Sequence, residues 1–450
     1  MKNTRRRSAQ KKGDRGRRRP NLISKMPDDV LVMILSLMPI KDAAVTSILS
    51  TRWRHLWRNL LRLNFDGTKT LKKMVKDKKL CDIERDKYIK QVYNVISSYY
   101  NHPMVHDIRI RFDLDDSHSK AIDDWVQFAL DKKVERLELD LLDKNYAVRD
   151  PDENYEFWLP SSSMAGEMFM FSLKKLFLKG VNLNETTLNI ILKNSPHLEK
   201  LYMFGSDLFP RIHVGGQEIN LKHFKLVDCS GFESISLYGF DLVSFIYCGP
   251  EIQFHLSDLP KLKELDIGEV SVGLENNVFG QISSCAVNLQ VLVLDMWSPQ
   301  KDLDVNAIIK FPNVKKLLLV MGAEEDECLL EFTSIAQACP RLETFSISLH
   351  WYTPTKRRRK VRRVASPHVH EHLKLLEMIG YYGRNSDVEL AVYVIENAAA
   401  LEKIVIDPCC HASGGDFTTE DFLKREQAAR SSAKRQLTPI LPPGVDLAIL

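Results

Sequence analysis

Long apolar runs and paired cysteines are both missing from this chain of 450 residues. No stretch approaches the roughly 18 apolar residues that a membrane-spanning helix needs, so we predict no contact with a membrane. The eight cysteines are scattered without a Cys-x-x-Cys pair, which is typical of reduced, mostly buried thiols. Cys409, Cys410 and His411 form the one cluster, and it lacks the spacing and the fourth ligand of a metal site.

Motifs of the common enzyme classes are absent as well. The sequence contains no Gly-rich phosphate loop followed by Lys, no Gly-x-Ser-x-Gly and no His-Glu-x-x-His. His368, His370 and His372 alternate, but no partner ligands accompany them, so entry into a strand explains them better than a metal. We therefore predict no catalytic residues, no cofactor and no metal: the protein is not an enzyme.

Positive charge is concentrated in two runs, although the net charge is only +4. Residues 1–19 hold ten Lys/Arg against one Asp, which gives +9, and residues 356–363 add +7. The remainder therefore carries 4 − 9 − 7 = −12. The body of the protein is acidic, and each basic run interrupts it.

The first basic run predicts a disordered tail over residues 1–20, because it has almost no apolar content. Its clusters resemble a nuclear localisation signal, and they consist of Arg5, Arg6, Arg7, Arg17, Arg18 and Arg19. A solvated tail, or one that contacts nucleic acid non-specifically, is the alternative. The second run is expected in an exposed loop, as a second nuclear signal, an anionic contact or a flexible insert. These runs leave the location open between nucleus and cytoplasm.

Residues 21–66 predict three short helices with more apolar surface than they can bury themselves. Pro27 suits a first helical turn, and the helix then continues from Val30 to Met38 before Pro39. The second helix is predicted to point Val45, Ile48 and Leu49 inward. The third carries Trp53, Leu56, Trp57 and Leu60 at i, i+3, i+4 and i+7. A unit of this size needs a second covering layer, either from its own chain or from a partner.

The same segment resembles a plant F-box. The matching motifs are Met26-Pro27-Asp28, the Leu-rich helix, Pro39, Ser47-Ile48-Leu49-Ser50 and Arg52-Trp53-Arg54-His55-Leu56-Trp57. The family usually has Leu where Met26 stands and Thr where Ile40 stands. The resemblance implies docking onto the Skp adaptor of a cullin-RING (SCF) ubiquitin ligase. The residues assigned to adaptor contact are Pro27, Leu31, Ile34, Leu35 and Pro39, with Trp53 and Trp57 bracing the helices.

A second pattern, Leu-x-x-Leu-x-Leu, recurs from about residue 105 onward. Copies include VERLELDL (134–141), LKKLFLKG (173–180), LEKLYMFG (198–205), FESISLYG (232–239) and VKKLLLVM (314–321). Many of them start 23 to 31 residues apart, which is typical of leucine-rich repeats. Each repeat would be one strand with a helical or irregular arc, and together they would form a curved solenoid with a parallel sheet. Between 221 and 260 the strands come closer together, so the arcs there are expected to be short and non-helical.

The end of the chain resembles the FBD-type C-terminal region of plant F-box proteins. The matching positions are Gly380, Gly383, Glu396, Asn397, Ala398 and Leu401-Glu402-Lys403. After them, Thr418 to Gln436 predicts a helix that covers the end of the solenoid. The predicted organisation is thus a tail (1–20), an F-box (21–66), a helical connector (67–104), a solenoid (105–371), FBD-like repeats (372–410) and a terminal helix with a tail (411–450).

In strands of this form the leucines face the core, and the residues between them line the concave face. Exposed aromatic side chains are typical of protein-binding surfaces, unless a loop covers them. Lys175, Phe177, Tyr202 and Phe204 are therefore the candidate substrate-binding residues. We interpret the chain as the substrate-recognition subunit of an SCF-type ubiquitin ligase with an unidentified protein substrate. The alternative is a nucleic-acid-associated repeat scaffold that uses the two basic runs; the sequence favours it less.

Overall fold

The computed structural model describes residues 23–101, 104–159, 170–268, 278–296, 307–323, 329–351, 361, 363, 369–408 and 419–450, and at 24, 323, 351 and 419–422 only the backbone. The predicted basic tail, most of the second basic run, His368 and the Cys409–His411 cluster lie outside these residues. Within the described part of the chain, no helix is both long and apolar enough to cross a membrane.

Strands greatly outnumber long helices in the described residues. The helices are α1 (Asp28–Leu35), α2 (Ile40–Val45), α3 (Trp53–Leu56), α4 (Thr68–Lys76), α5 (Cys81–Tyr99), α6 (Ser119–Asp131), α7 (Glu185–Asn194), α8 (Val278–Gln281), α9 (Thr333–Gln337), α10 (Asn385–Asn397) and α11 (Thr419–Leu437). The strands are β1 (Arg62–Asp66), β2 (Asp107–Arg111), β3 (Arg136–Asp140), β4 (Tyr155–Glu156), β5 (Lys175–Lys179), β6 (Val181–Asn182), β7 (Lys200–Phe204), β8 (Arg211–Gly215), β9 (His223–Val227), β10 (Ser234–Tyr238), β11 (Ser244–Cys248), β12 (Gln253–Ser257), β13 (Glu264–Ile267), β14 (Val291–Met296), β15 (Lys316–Ala323), β16 (Thr344–Trp351), β17 (Leu375–Ile379), β18 (Lys403–Asp407) and β19 (Asp446–Ile449).

Fourteen of these strands form one sheet in the order β1-β2-β3-β5-β7-β9-β11-β13-β14-β15-β16-β17-β18-β19. Every neighbouring pair is parallel, and the equivalent positions of each repeat are in register, as Lys175 with Lys200 and His223. Parallel neighbours need a crossover connection, which the helices and irregular arcs supply. The predicted class, an F-box followed by a leucine-rich-repeat solenoid, is confirmed.

The strands alternate as the Leu-x-Leu pattern predicts. Leu176 and Leu178 are fully buried, whereas the alternate residues Lys175, Phe177 and Lys179 are half-buried on the other face. One continuous buried apolar cluster extends from Leu31 in α1 to Leu437 in α11. The three N-terminal helices therefore share the hydrophobic core of the repeats and are not a separately folded unit.

The repeats around 221–260 differ from the others because the arcs between β7 and β13 contain strands instead of helices. β8, β10 and β12 form a second, three-stranded parallel sheet. The expectation of non-helical arcs is correct, but FESISLYG (232–239) lies in this second sheet and is not a strand of the main one. SISLY alternates just as a main-sheet strand does, so periodicity cannot distinguish the two. The main sheet is instead continued by β11, whose sequence SFIYC was not recognised.

The main sheet begins inside the predicted F-box. β1 pairs with β2 from Arg62–Asp107 to Asp66–Arg111, and α4 and α5 form the arc between them. Two tyrosine hydroxyls of α5 donate hydrogen bonds to backbone carbonyls of the first 66 residues: Tyr88 to Phe65 (2.5 Å) and Tyr99 to Trp57 (2.6 Å). The residues predicted as a connector thus form the arc of the first repeat.

At the other end, the FBD-like segment forms β17, α10 and β18. Gly380 has φ of +76°, and a Cβ there would lie 2.1 Å from the carbonyl oxygen of Leu349, so only glycine fits. Gly383 has φ of +74°, and a Cβ there would lie 2.6 Å from the Cβ of Ser432 in α11. The predicted terminal helix is α11, and the predicted tail after it adds β19 to the sheet beside β18.

Candidate functional site

The first helix is shorter than the run from Val30 to Met38 predicted. α1 ends at Leu35, and residues 36–38 form a turn in which the Met38 amide donates to the Leu35 carbonyl (3.2 Å). Pro39 then precedes α2 with an extended conformation (φ −54°, ψ 144°). A proline disfavours helical geometry in the residue before it, which explains the early end.

The residues assigned to adaptor contact divide between the interior and the surface. Leu31 and Leu35 have no exposed surface because they pack into the shared core, so their assignment as contact residues is corrected. Ile34 and Pro27 are exposed, and Pro39 is half-buried. Trp53 is buried and Trp57 half-buried, with the Trp57 ring centroid 6.5 Å from that of Tyr99. The bracing of the F-box helices by these two tryptophans stays a prediction.

The inward face predicted for the second helix is wrong. Val45, Ile48 and Leu49 are 57%, 82% and 63% exposed, whereas Ile40 and Ala43 supply the buried positions. We call the exposed apolar side chains of this segment the F-box apolar face: Val30, Met33, Ile34, Leu37, Val45, Ile48 and Leu49. Exposed apolar side chains concentrated within twenty residues are typical of protein-docking surfaces.

Beside this face, an open cavity of about 480 Å³ lies between α2, β1 and α5. Its lining is mainly apolar and includes Ile40, Val45 and Val92. The Oδ1 atom of Asn64 is buried at this edge of the sheet without a hydrogen-bond partner among the described residues. The F-box helices therefore cover the free edge of β1 only in part.

The second candidate surface is the open face of the sheet, by which we mean the face that carries Lys175, Phe177 and Lys179. Because the strands are in register, its side chains form rows across the sheet. One row contains Arg136, Lys175, Lys200 and His223, and the next contains Glu138, Phe177, Tyr202 and Lys225. The four predicted substrate residues all lie on this face, on the adjacent strands β5 and β7.

Cations and aromatic rings alternate on these strands, and together we call them the basic–aromatic patch: Lys175, Phe177, Lys179, Lys200, Tyr202 and Lys225. The rings of Phe177 and Tyr202 meet edge to face, with centroids 6.1 Å apart. The Nζ atoms of Lys179 and Lys225 lie 5.9 and 5.4 Å from the Tyr202 centroid. Such contacts hold the rings in place while leaving them half-exposed.

Further along the sheet the open face becomes apolar and then acidic. Val227 and Ile246 precede a group of acids that we call the acidic group: Glu264, Asp266 and Asp295. Burial raises the pKa of Asp266 to about 6; Lys225 lowers it, and the two neighbouring carboxylates raise it. No group of three or more His, Cys, Asp or Glu with metal-binding geometry occurs among the described residues.

Comparison with known families supports this arrangement. Residues 23–65 match the sequence model of the F-box domain, and residues 104–449 match one described as At1g61320/AtMIF1, LRR domain. The chain belongs to this leucine-rich-repeat family and carries an F-box. Relatives from Arabidopsis thaliana include F-box/FBD/LRR-repeat protein At4g26340, 24% identical over 86% of this chain and 92% of its own length. FBD-associated F-box protein At4g10400 is 26% identical over 85% and 92%.

F-box/LRR-repeat protein At3g03360 is 30% identical over 209 residues, which are 41% of this chain and only 38% of that relative. The chain thus covers little of this relative and most of the two FBD proteins. The F-box and leucine-rich-repeat matches leave residues 66–103 between them, where the structure places α4 and α5. In this F-box/leucine-rich-repeat protein, the first strand of the sheet comes from the end of the F-box match.

Within the F-box, the two halves of the sequence motif contact each other. Arg52 of Arg-Trp-Arg donates from Nε to Asp28 of Met-Pro-Asp (2.7 Å) and from Nη2 to the Met26 carbonyl. Sequence reasoning identified both motifs without predicting the contact. The sequence did contain a signal for this contact, because the two motifs flank helices that are too short to be stable without contacts to each other.

Proposed function

We propose that this chain is the non-catalytic substrate-recognition subunit of an SCF-type ubiquitin ligase. The F-box would bind the Skp adaptor, and through it the cullin-RING ligase, while the open face of the sheet would bind a protein substrate. Such a subunit makes no bonds itself; it supplies proximity and orientation for transfer catalysed elsewhere. The F-box match and the presence of both surfaces on one shared core support this proposal.

The single observation that carries the proposal is the F-box apolar face. Leu37 and Ile48 are 79% and 82% exposed, although apolar side chains of this size normally gain free energy by leaving water. Their neighbours Leu31 and Leu35 already fill the internal core. A partner that covers this face would supply the layer that the chain does not.

Co-purification with the Skp adaptor tests the proposal. Leu37→Asp combined with Ile48→Asp places charge on the exposed face without touching the core, so it should abolish adaptor binding and leave the melting curve unchanged. The matched control is Val287→Asp, at an apolar residue of the repeats that is 60% exposed. Adaptor binding by the wild type should persist at high salt, because apolar contacts are not screened. Unchanged binding by the double variant would contradict the proposal.

A further inference from the structure

The open face carries a change in charge along the sheet that bears on the substrate, given the proposed function as a receptor. On β5, β7 and β9 the basic–aromatic patch has four lysines and no acid. On β13 and β14 the acidic group has three carboxylates. Val227 and Ile246 separate the two ends.

Three cations of the patch remain available to a ligand. Glu138 is already bound by Arg109 (3.0 Å) and Arg136 (2.5 Å), and Asp140 by Arg111 (2.9 Å) and Lys179 (3.4 Å). In the part of the chain that the structure describes, no ion pair joins Lys175, Lys200 or Lys225 to a carboxylate. Burial and the nearby Lys200 lower the pKa of His223, as expected where cations are close together.

The aromatic rings add a second element of recognition. Phe177 and Tyr202 lie in the row next to Lys175 and Lys200, and Lys225 continues their own row. The Arg136 guanidinium is 4.7 Å from the Phe177 centroid. An apolar side chain of a ligand could pack on these rings while its neighbouring carboxylates reach Lys175 and Lys200. Both interactions would be made in half-buried positions, where they are screened less than on an exposed surface.

We propose that the open face binds an extended peptide segment whose acidic end lies on the basic–aromatic patch and whose apolar residues follow toward Ile246. From β5 to β14 there are five strand steps, about 24 Å at ~4.8 Å per step, which an extended segment of roughly seven residues would span. A basic residue at the far end would meet the acidic group.

Basic residues interleaved with aromatic ones are also typical of surfaces that bind single-stranded nucleic acid. A nucleic acid needs a continuous positive track for its phosphates. Here Glu264, Asp266 and Asp295 would repel the phosphate chain within a few strands of the patch. The reversal of charge therefore favours a peptide that is acidic at one end only.

A display selection tests this proposal. The full chain, bound to its adaptor, would be presented with a random heptapeptide library after counter-selection on adaptor alone. We expect enriched peptides with Asp or Glu at one end and apolar residues after them. Lys175→Glu combined with Lys200→Glu should reduce their binding at least tenfold. Lys316→Glu, the same change in the same row on β15, should leave it intact.

Three results would overturn the proposal: no acidic bias, equal binding by the double variant, or tighter binding of a twelve-residue oligo-dT that the same variant abolishes. Lys175→Gln with Lys200→Gln provides a second test, which removes the positive charges without adding repulsion of an acidic peptide. Melting curves check that each variant folds. Adaptor co-purification is recorded for every preparation. Absence of adaptor binding by the wild type would contradict the proposed function. Intact adaptor binding without enrichment of acidic peptides would contradict only the present inference.

Discussion

Asp28 and Arg52 form an ion pair with an Nη2–Oδ1 distance of 2.5 Å, across 24 residues of sequence. The pair links the first turn of α1 to the start of α3. An aspartate in a first helical turn also interacts favourably with the helix dipole. The two most recognisable motifs of the F-box are therefore parts of one contact.

We expect Arg52→Ala to cost more stability than Asp28→Asn. The arginine also donates to the Met26 carbonyl, so its removal loses two interactions, whereas the asparagine keeps a hydrogen-bond acceptor. Both side chains are partly exposed, so their coupling should stay below about 1 kcal/mol. A double-mutant cycle of urea unfolding measures it. Equal losses in the two single variants would contradict this account.

A buried ion cluster should contribute much more. Asp113 is 1% exposed and is bound by Arg85 (2.9 Å) and by Arg149, which connects α5 to the loops after β2 and β3. Removing the carboxylate takes away the counter-charge that Asp113 supplies to the largely buried side chain of Arg149 and leaves Arg85 with the exposed Asp82 (3.2 Å). We therefore expect Asp113→Asn to destabilise by roughly 3–5 kcal/mol.

The free energy of unfolding from urea titrations tests this expectation. The control is Asp241→Asn, since Asp241 pairs with Lys261 at a site where both side chains are more than half exposed. That substitution should cost less than about 1 kcal/mol. Similar effects of the two substitutions would show that burial does not determine the strength of these pairs.

Asp266 predicts a pH dependence of stability. Burial holds its folded pKa at about 6, above the ordinary value of 3.8 for an aspartate; Lys225 lowers the pKa, and Glu264 and Asp295 raise it further. A raised folded pKa means that the folded state binds the proton more tightly. The stability that Asp266 contributes by binding this proton is therefore complete below about pH 4. It decreases as the pH rises and is lost above about pH 6.

Asp266→Asn should remove this decrease and make the protein more stable than the wild type at pH 7. Thermal melts at pH 4, 5, 6 and 7 give the difference in melting temperature between the two proteins. Taking this difference cancels the contribution of the other carboxylates. Asp446→Asn, at an exposed position of β19, is the control. A wild type that gains stability relative to Asp266→Asn between pH 4 and 6 would reverse the expected sign.

For the N-terminal basic run, we propose nuclear targeting. Alanine at Arg5, Arg6, Arg7, Arg17, Arg18 and Arg19 in a fluorescent fusion should shift the protein from nucleus to cytoplasm, because import of such segments depends on clustered positive charge. Replacing residues 356–359 by alanine removes charge from the other run and serves as the control. An unchanged distribution in the first variant would refute the assignment.

The sequence predicted the repeats well because their signal is periodic. Leu176 and Leu178 had to be buried whichever arc covered them, so the main sheet followed from the pattern. The same logic failed for SISLY at 234–238, which alternates identically but belongs to the second sheet. Alternation specifies a strand with one buried face; it does not specify which sheet the strand joins.

The docking faces were harder to predict. Val45, Ile48 and Leu49 were predicted to be buried because they are apolar, yet Ile40 and Ala43 fill the space against β1. Which apolar side chains of a short helix are covered depends on elements further along the chain, here β1, against which α2 packs. The charge reversal of the open face depends on register, which no single repeat reveals.

Because β1 begins inside the F-box match, which ends at residue 65, and pairs along its length with β2, the F-box and the repeats are joined through one continuous sheet. A chimaera that replaces the F-box up to residue 66 would lose this protein's own edge strand, whereas a junction before Arg62 would retain it. In the proposed receptor, this continuity would fix the angle at which a bound substrate is held. The rigid connection, and not the movement of a flexible linker, would then determine which lysines of a bound protein can be modified.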